Sequence, residues 1–254
     1  MNRFAGVRKF KQLRSEPNVR NSVKNTAFTL AEVLITLGII GVVAAVTMPT
    51  LVQNYRKHVV ETKLKRFYSI SNQAIQRAEI DYGDKSLWET PENGWLTDEN
   101  GNTDYSKSKY ESWFYKYIAP YYKNAIIKKV SDNDGRFFVI YFPDGSVAQY
   151  SPMSIYYFVD AKNYNFILPE HGIYQYNKND VGTKIFTFHF APNSTYYRNK
   201  GIEPYKWNWD GSESMLRNNN TIGCKKDVSK ERAFCTALIQ LNGWKIPKDY
   251  PIRF

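Results

Sequence analysis

The stretch Phe28-Thr-Leu-Ala-Glu-Val-Leu-Ile-Thr-Leu-Gly-Ile-Ile-Gly-Val-Val-Ala-Ala-Val-Thr-Met-Pro-Thr-Leu-Val52 decides how this chain is organised. It holds a single charged group, Glu32, in its first turns. Its 25 residues, 28 through 52, reach about 37 Å at the helical rise, enough to cross the hydrocarbon core of a bilayer. A lone carboxylate at membrane depth is expensive and marks Glu32 as a functional residue. The plainer reading is an acid at the boundary that reaches back to the head groups.

Charge is distributed unevenly around this stretch. The chain carries 35 bases and 24 acids, a net charge of +11. Residues 1–27 hold Arg3, Arg8, Lys9, Lys11, Arg14, Arg20 and Lys24 against Glu16 alone, so 28 of the 35 bases and 23 of the 24 acids are left for the rest. An excess that small does not by itself argue for nucleic acid. Residues 1–27, with Pro17 and no apolar face, read as a basic cytoplasmic leader. The charges flanking the anchor nearly balance: six bases in residues 8–27 against five in residues 53–72. Orientation therefore rests only weakly on charge. An ordinary secretory signal, with its core at Val33–Val46 and a cut after Ala45, is the competing reading of the same segment.

Beyond Val52 the period is still helical but the pattern narrows. Val60, Leu64, Phe67, Ala74, Ile75, Ala78 and Tyr82 recur at three- and four-residue spacings with Lys63, Lys65, Arg66 and Arg77 between them. No Gly or Pro interrupts Gln53 to Tyr82, so anchor and amphipathic segment are expected to form one helix of about 55 residues, kinked at Pro49 and ended by Gly83-Asp84. Turn chemistry at Pro91–Gly94 and 98–104 is followed by a short helix over 109–119 with Trp113, Phe114, Tyr117 and Ile118 on one face. The period then becomes two: 136–142 and 147–150 form a hairpin around Asp144-Gly145, with further strands at 154–159 and 184–190. An antiparallel sheet with one face on the amphipathic helix follows. A helix over 229–241, N-capped by Ser229 and stopped at Asn242-Gly243, closes the chain.

Two cysteines, Cys224 and Cys235, suit a disulfide closing a short loop; two buried thiols are the alternative, and an exported location favours the bond. His58, His171 and His189 lack ligand spacing, and Asp160, Asn163, Asn165 and Asp180 match no calcium loop, so neither metal nor cofactor is expected. Tyr205-Lys-Trp-Asn-Trp-Asp-Gly211 interleaves rings and charges as glycan or single-strand binders do, though a packed loop explains it as well. No nucleophile–base set or phosphate loop appears, so an enzyme is not expected.

The run Lys24-Asn-Thr-Ala27-Phe28-Thr-Leu-Ala-Glu32-Val-Leu-Ile-Thr-Leu-Gly38-Ile-Ile-Gly41 closely resembles the prepilin signal of type IV pilins and type II secretion pseudopilins. The resemblance implies cleavage between Ala27 and Phe28 by a prepilin peptidase, and N-methylation of Phe28. That family usually has Gly where this chain has Ala27. Glu32 falls on its assembly acid and Pro49 on its helix-kinking proline. Cys235-Thr-Ala-Leu-Ile239 and Gly243–Pro251 also look like endings of bacterial prepilin-type proteins. Beside the resemblance stands a physical reason: an amine from a neighbouring subunit would neutralise Glu32 where either charge alone is costly. Gly38, Gly41, Ala44 and Ala45 would let such helices approach closely.

The expectation is an α+β, pilin-like chain. A leader (1–27) and a transmembrane, filament-core helix (28–52) precede an amphipathic continuation (53–82) and a head (83–254) stapled by Cys224–Cys235. Implied partners are prepilin peptidase, other pilin or pseudopilin subunits, an assembly platform with its motor, and the bacterial inner membrane before the filament forms. Nucleic acid stays open as a partner without a feature that supports it. The alternatives are a membrane-tethered binding protein that never polymerises, and a soluble head released after Ala45.

Overall fold

A computed structural model describes residues 28–89, 99–100, 109–130, 137–152, 154–164, 176–192, 194, 197 and 200–254. The leader with Ala27, the Pro91–Gly94 turn, Asn165 and His171 lie outside them. The chain divides into two units, Met1–Met48 and Pro49–Phe254.

The described part of the first unit is helical. Helix α1 is assigned over Leu30–Tyr82 and contains Pro49 without interruption. Proline supplies no N–H, so the Ala45 carbonyl has no donor four residues on. Side chains from Phe28 through Met48 are exposed around the helix, Ala44 alone being intermediate. A helix apolar on every side has no stripe with which to choose a single packing partner.

The second unit is built on a stripe. From Pro49 to Tyr82, α1 buries Val60, Leu64, Phe67, Ser71, Ala74, Ile75 and Ala78. Tyr82, expected on that stripe, is instead exposed. Gly83 ends the helix with φ 77°, a conformation glycine adopts without strain. The stripe packs on a six-stranded antiparallel meander: β1 Ile126–Lys129, β2 Phe138–Tyr141, β3 Val147–Tyr150, β4 Ser154–Phe158, β5 Ile185–His189 and β6 Glu203–Pro204. Phe67 is the centre of that contact, with Tyr157, Phe188 and Phe142 at ring distances of 4.4, 4.9 and 5.8 Å. Lys63 fastens the helix to the hairpin end by donating to the carbonyls of Asp144 and Val159 at 2.9 and 2.8 Å. Helix α2, Tyr110–Tyr117, adds its aromatic face to the same core, with Phe114 stacked on Phe138 at 4.1 Å.

The structure departs from the sequence reading in three further places. A second apolar cluster, including Val139, Val147, Phe158 and Ile185, lies on the opposite sheet face, so β2, β3, β4 and β5 are buried on both sides. The edge strands β1 and β6 are short and carry Lys128, Lys129 and Pro204, residues that discourage further pairing. The closing helix, α4, is Cys235–Leu241 rather than 229–241, and the residue at its N-cap is Phe234, not Ser229. The cause is competition for backbone donors: the N–H groups of Ser229, Lys230 and Phe234 bond to the carbonyls of Asn220, Thr221 and Ile222. The helical stretch Glu213–Asn218, α3, precedes this pairing and is capped by the Ser212 hydroxyl.

Candidate functional site

The amino-terminal site begins with the local chemistry of Thr29 and Glu32. Thr29 N–H and Thr29 Oγ1 both donate to Glu32 Oε2 at 2.8 Å, and Glu32 N–H donates back to Thr29 Oγ1 at 3.2 Å. This is a reciprocal capping box at the first turn of α1, readable in sequence as Thr-x-x-Glu. Reading Glu32 only as a charge at membrane depth misses it. The box occupies one carboxylate oxygen; Oε1 has no protein donor among the described residues.

Phe28, beside the expected cleavage point, is 84% exposed. Gly38 and Gly41 have nothing within 4 Å of where a side chain would start, so the described chain itself does not need glycine there. By length and composition α1 could cross a membrane, and it is the one such helix among the described residues.

The carboxy-terminal site is a pinned loop. Cys224 and Cys235 form a disulfide (S–S 2.05 Å) across 11 positions, the pairing favoured from sequence. Closing a loop of that length removes unfolded-state freedom worth about 3 kcal/mol. Gly182, with φ 93°, lies against the bond; a Cβ there would sit 2.7 Å from Cys235 Sγ. Arg232 is buried inside the loop and donates to the carbonyls of Lys225 (2.8 Å), Lys226 (2.7 Å) and Asn179 (2.9 Å). Nothing in sequence singles out this arginine, because its acceptors are backbone oxygens that any residue provides.

Of the remaining candidates, Asp160 pairs with Lys162 and Asp180 with Lys184, both at 2.9 Å. The hydrogen bonds from Lys162 to the Asp160 carboxyl hold it below the ordinary carboxylate range. No group of three potential metal ligands occurs among the described residues. His189 is buried and neither ring nitrogen has a partner among the described residues; burial pulls it down to about 4. The aromatic segment divides: Tyr205 and Trp209 pack on the main core, Trp209 Nε1 donating to the Ser212 carbonyl at 2.7 Å, while Trp207 is 37% exposed with its ring 6.1 Å from that of His189.

Residues 50–254 match a family of unknown function, DUF6613. The chain belongs to that family. The match begins one residue after Pro49 and spans the amphipathic part of α1, the sheet and the disulfide loop. No curated protein and no solved structure matches the chain.

Proposed function

We propose that the chain is a subunit of a type IV pilus-like or type II secretion filament: a pilin, minor pilin or pseudopilin without catalysis of its own. The observation that carries this reading is the Lys24–Gly41 motif, running into a helix whose first part, through Met48, is apolar and exposed around its circumference. Prepilin peptidase removes the leader at Ala27-Phe28, and Phe28 is N-methylated. The segment 28–52 is held in the inner membrane with the head outside the cytoplasm. The assembly platform and motor then transfer it into the filament. Glu32 keeps its cap to Thr29 through Oε2 and offers Oε1 to the Phe28 amine of a neighbouring subunit, a pairing that low dielectric strengthens and that fixes register.

The intact mass of the mature protein tests the first step: a start at methylated Phe28 is expected, and a start at Val46 sinks the proposal in favour of an ordinary secreted head. Glu32→Ala tests the second, with membrane insertion retained and filament incorporation abolished. Unchanged filament yield would leave the tethered, non-polymerising protein as the better reading.

A further inference from the structure

A cleft of ≈ 670 Å³ opens beside β4 and β5. Tyr156 and Thr187 reach it from the sheet face opposite α1, and Tyr176, Tyr205 and Trp207 supply three more rings. Among these Trp207 is the most exposed, at 37%, although its neighbour Trp209 is packed away. Between the rings stand hydrogen-bonding groups of both kinds: the Asn208 amide, the Nδ2 of Asn219, whose Oδ1 accepts from Thr221 and Ile222 N–H at 2.9 and 3.0 Å, and the Glu231 carboxylate. Glu231 is itself held in place, accepting from Tyr156 Oη at 3.3 Å and from the Tyr176 hydroxyl. Lys178 and Lys230 border the cleft and are shared with a second hollow of ≈ 450 Å³, where Lys226 and Arg232 outnumber Asp227.

Three ligand chemistries compete for such a wall. An apolar molecule would strip water from the amides, a carboxylate and two ammonium groups without replacing their hydrogen bonds, which is costly. A nucleic-acid strand fits the rings, but it needs a basic track along its phosphates, and Glu231 repels them. A saccharide ring has a C–H face that lies on an indole or phenol and a rim of hydroxyls that amides and carboxylates read. An acidic substituent on that ring would be drawn to the lysine border by charge-assisted hydrogen bonds.

We propose that this cleft binds an acidic saccharide, with its ring face on Tyr205 and Trp207, its hydroxyls on Glu231, Asn208 and Asn219, and its carboxylate or sulfate at Lys178 and Lys230. The site lies wholly within residues 50–254 and is independent of how the amino terminus is processed.

The test uses the full chain in zwitterionic micelles, because a maltoside detergent would offer sugar to the cleft. An array of uronate-, sialate- and sulfate-bearing oligosaccharides is probed beside their neutral counterparts, and hits are titrated with oligothymidylate as competitor. At least one acidic probe is expected to bind more tightly than its neutral counterpart. Trp207→Ala should weaken it about tenfold through lost stacking, and Trp207→Tyr should restore most of that loss. Lys178→Ala combined with Lys230→Ala should weaken the acidic probe about tenfold and leave neutral sugars unaffected. The proposal is overturned if no acidic probe binds up to about 10 mM, beyond the weak end of specific recognition. It is equally overturned if neutral probes bind as well, if oligothymidylate displaces the hit at comparable concentration, or if folded Trp207→Ala binds unchanged.

Discussion

Residues 28–48 and residues 49–254 answer the same physical requirement in opposite ways. In the first region Leu30, Ile35, Ile40 and Val46 are exposed, and the side-chain hydrogen bonds are local: the Thr29–Glu32 box, Thr36 to the Val33 carbonyl, and Thr47 to the Val43 carbonyl. In the second, α1 shows a narrow stripe, and the sheet it packs on is covered on both faces. One helix thus carries two hydrophobic patterns, one satisfied within the chain and one left exposed. Substitutions in the two halves should consequently report on different equilibria: folding of the head for the second and, on the proposed reading, association of the first half with its own copies.

The largest expected effect breaks the comparison if it fails. Phe67 is buried among Tyr157, Phe142 and Phe188, so Phe67→Ala removes a ring and leaves a cavity at the helix–sheet contact. Denaturant unfolding of the head should lose about 3–5 kcal/mol. Leu37→Ala, an equally apolar truncation on exposed α1, should leave that midpoint in place. Comparable losses from both would mean that the two patterns are not energetically separate.

How much of this was legible follows from which interactions are local. The period of Val60, Leu64, Phe67 and Ala78 announced the buried stripe, and Asp144-Gly145 announced the β2–β3 turn, because each signal lies within a few residues. Strand β1, Ile126-Ile-Lys-Lys129, was hidden because an edge strand exposed on most sides has little alternation to show. The first six residues assigned to the last helix were lost to pairing with 220–222, a contact the disulfide loop brings together. Among the described residues the cleft draws on 154–156, 176–178, 187–188, 205–208 and 215–233, five segments whose meeting no spacing rule encodes; its one trace in sequence is the aromatic run 205–211, which a packed loop explains as well.

A smaller effect sharpens the comparison from the head's side. His189 is 4% exposed, stacked on Tyr197 at 4.9 Å with Tyr205 and Trp207 around it, and burial lowers it from 6.5 to about 4. Between those values the unfolded chain binds a proton that the folded chain refuses, so stability rises with pH across the window. Acidifying from pH 7 to pH 4 should cost the head as much as about 3 kcal/mol through this group. His189→Phe keeps the stacking and should flatten that part of the pH–stability profile. An unchanged slope would show that His189 gains a proton partner in solution.

The smallest effect on folding is also the cleanest probe of the anchor. Gly38 has no atom within 4 Å of a built Cβ, so Gly38→Leu introduces no clash within the described chain. It also replaces a weak helix former with a strong one, so α1 should gain roughly 1 kcal/mol of local propensity rather than lose any. The head's unfolding midpoint should not move. If anchors pack together as proposed, the added side chain holds neighbouring backbones apart, and filament yield should fall severalfold while membrane insertion is retained. Full yield from Gly38→Leu would mean that this face of the helix looks onto lipid or solvent throughout, and that any association is organised by another face or by the head alone.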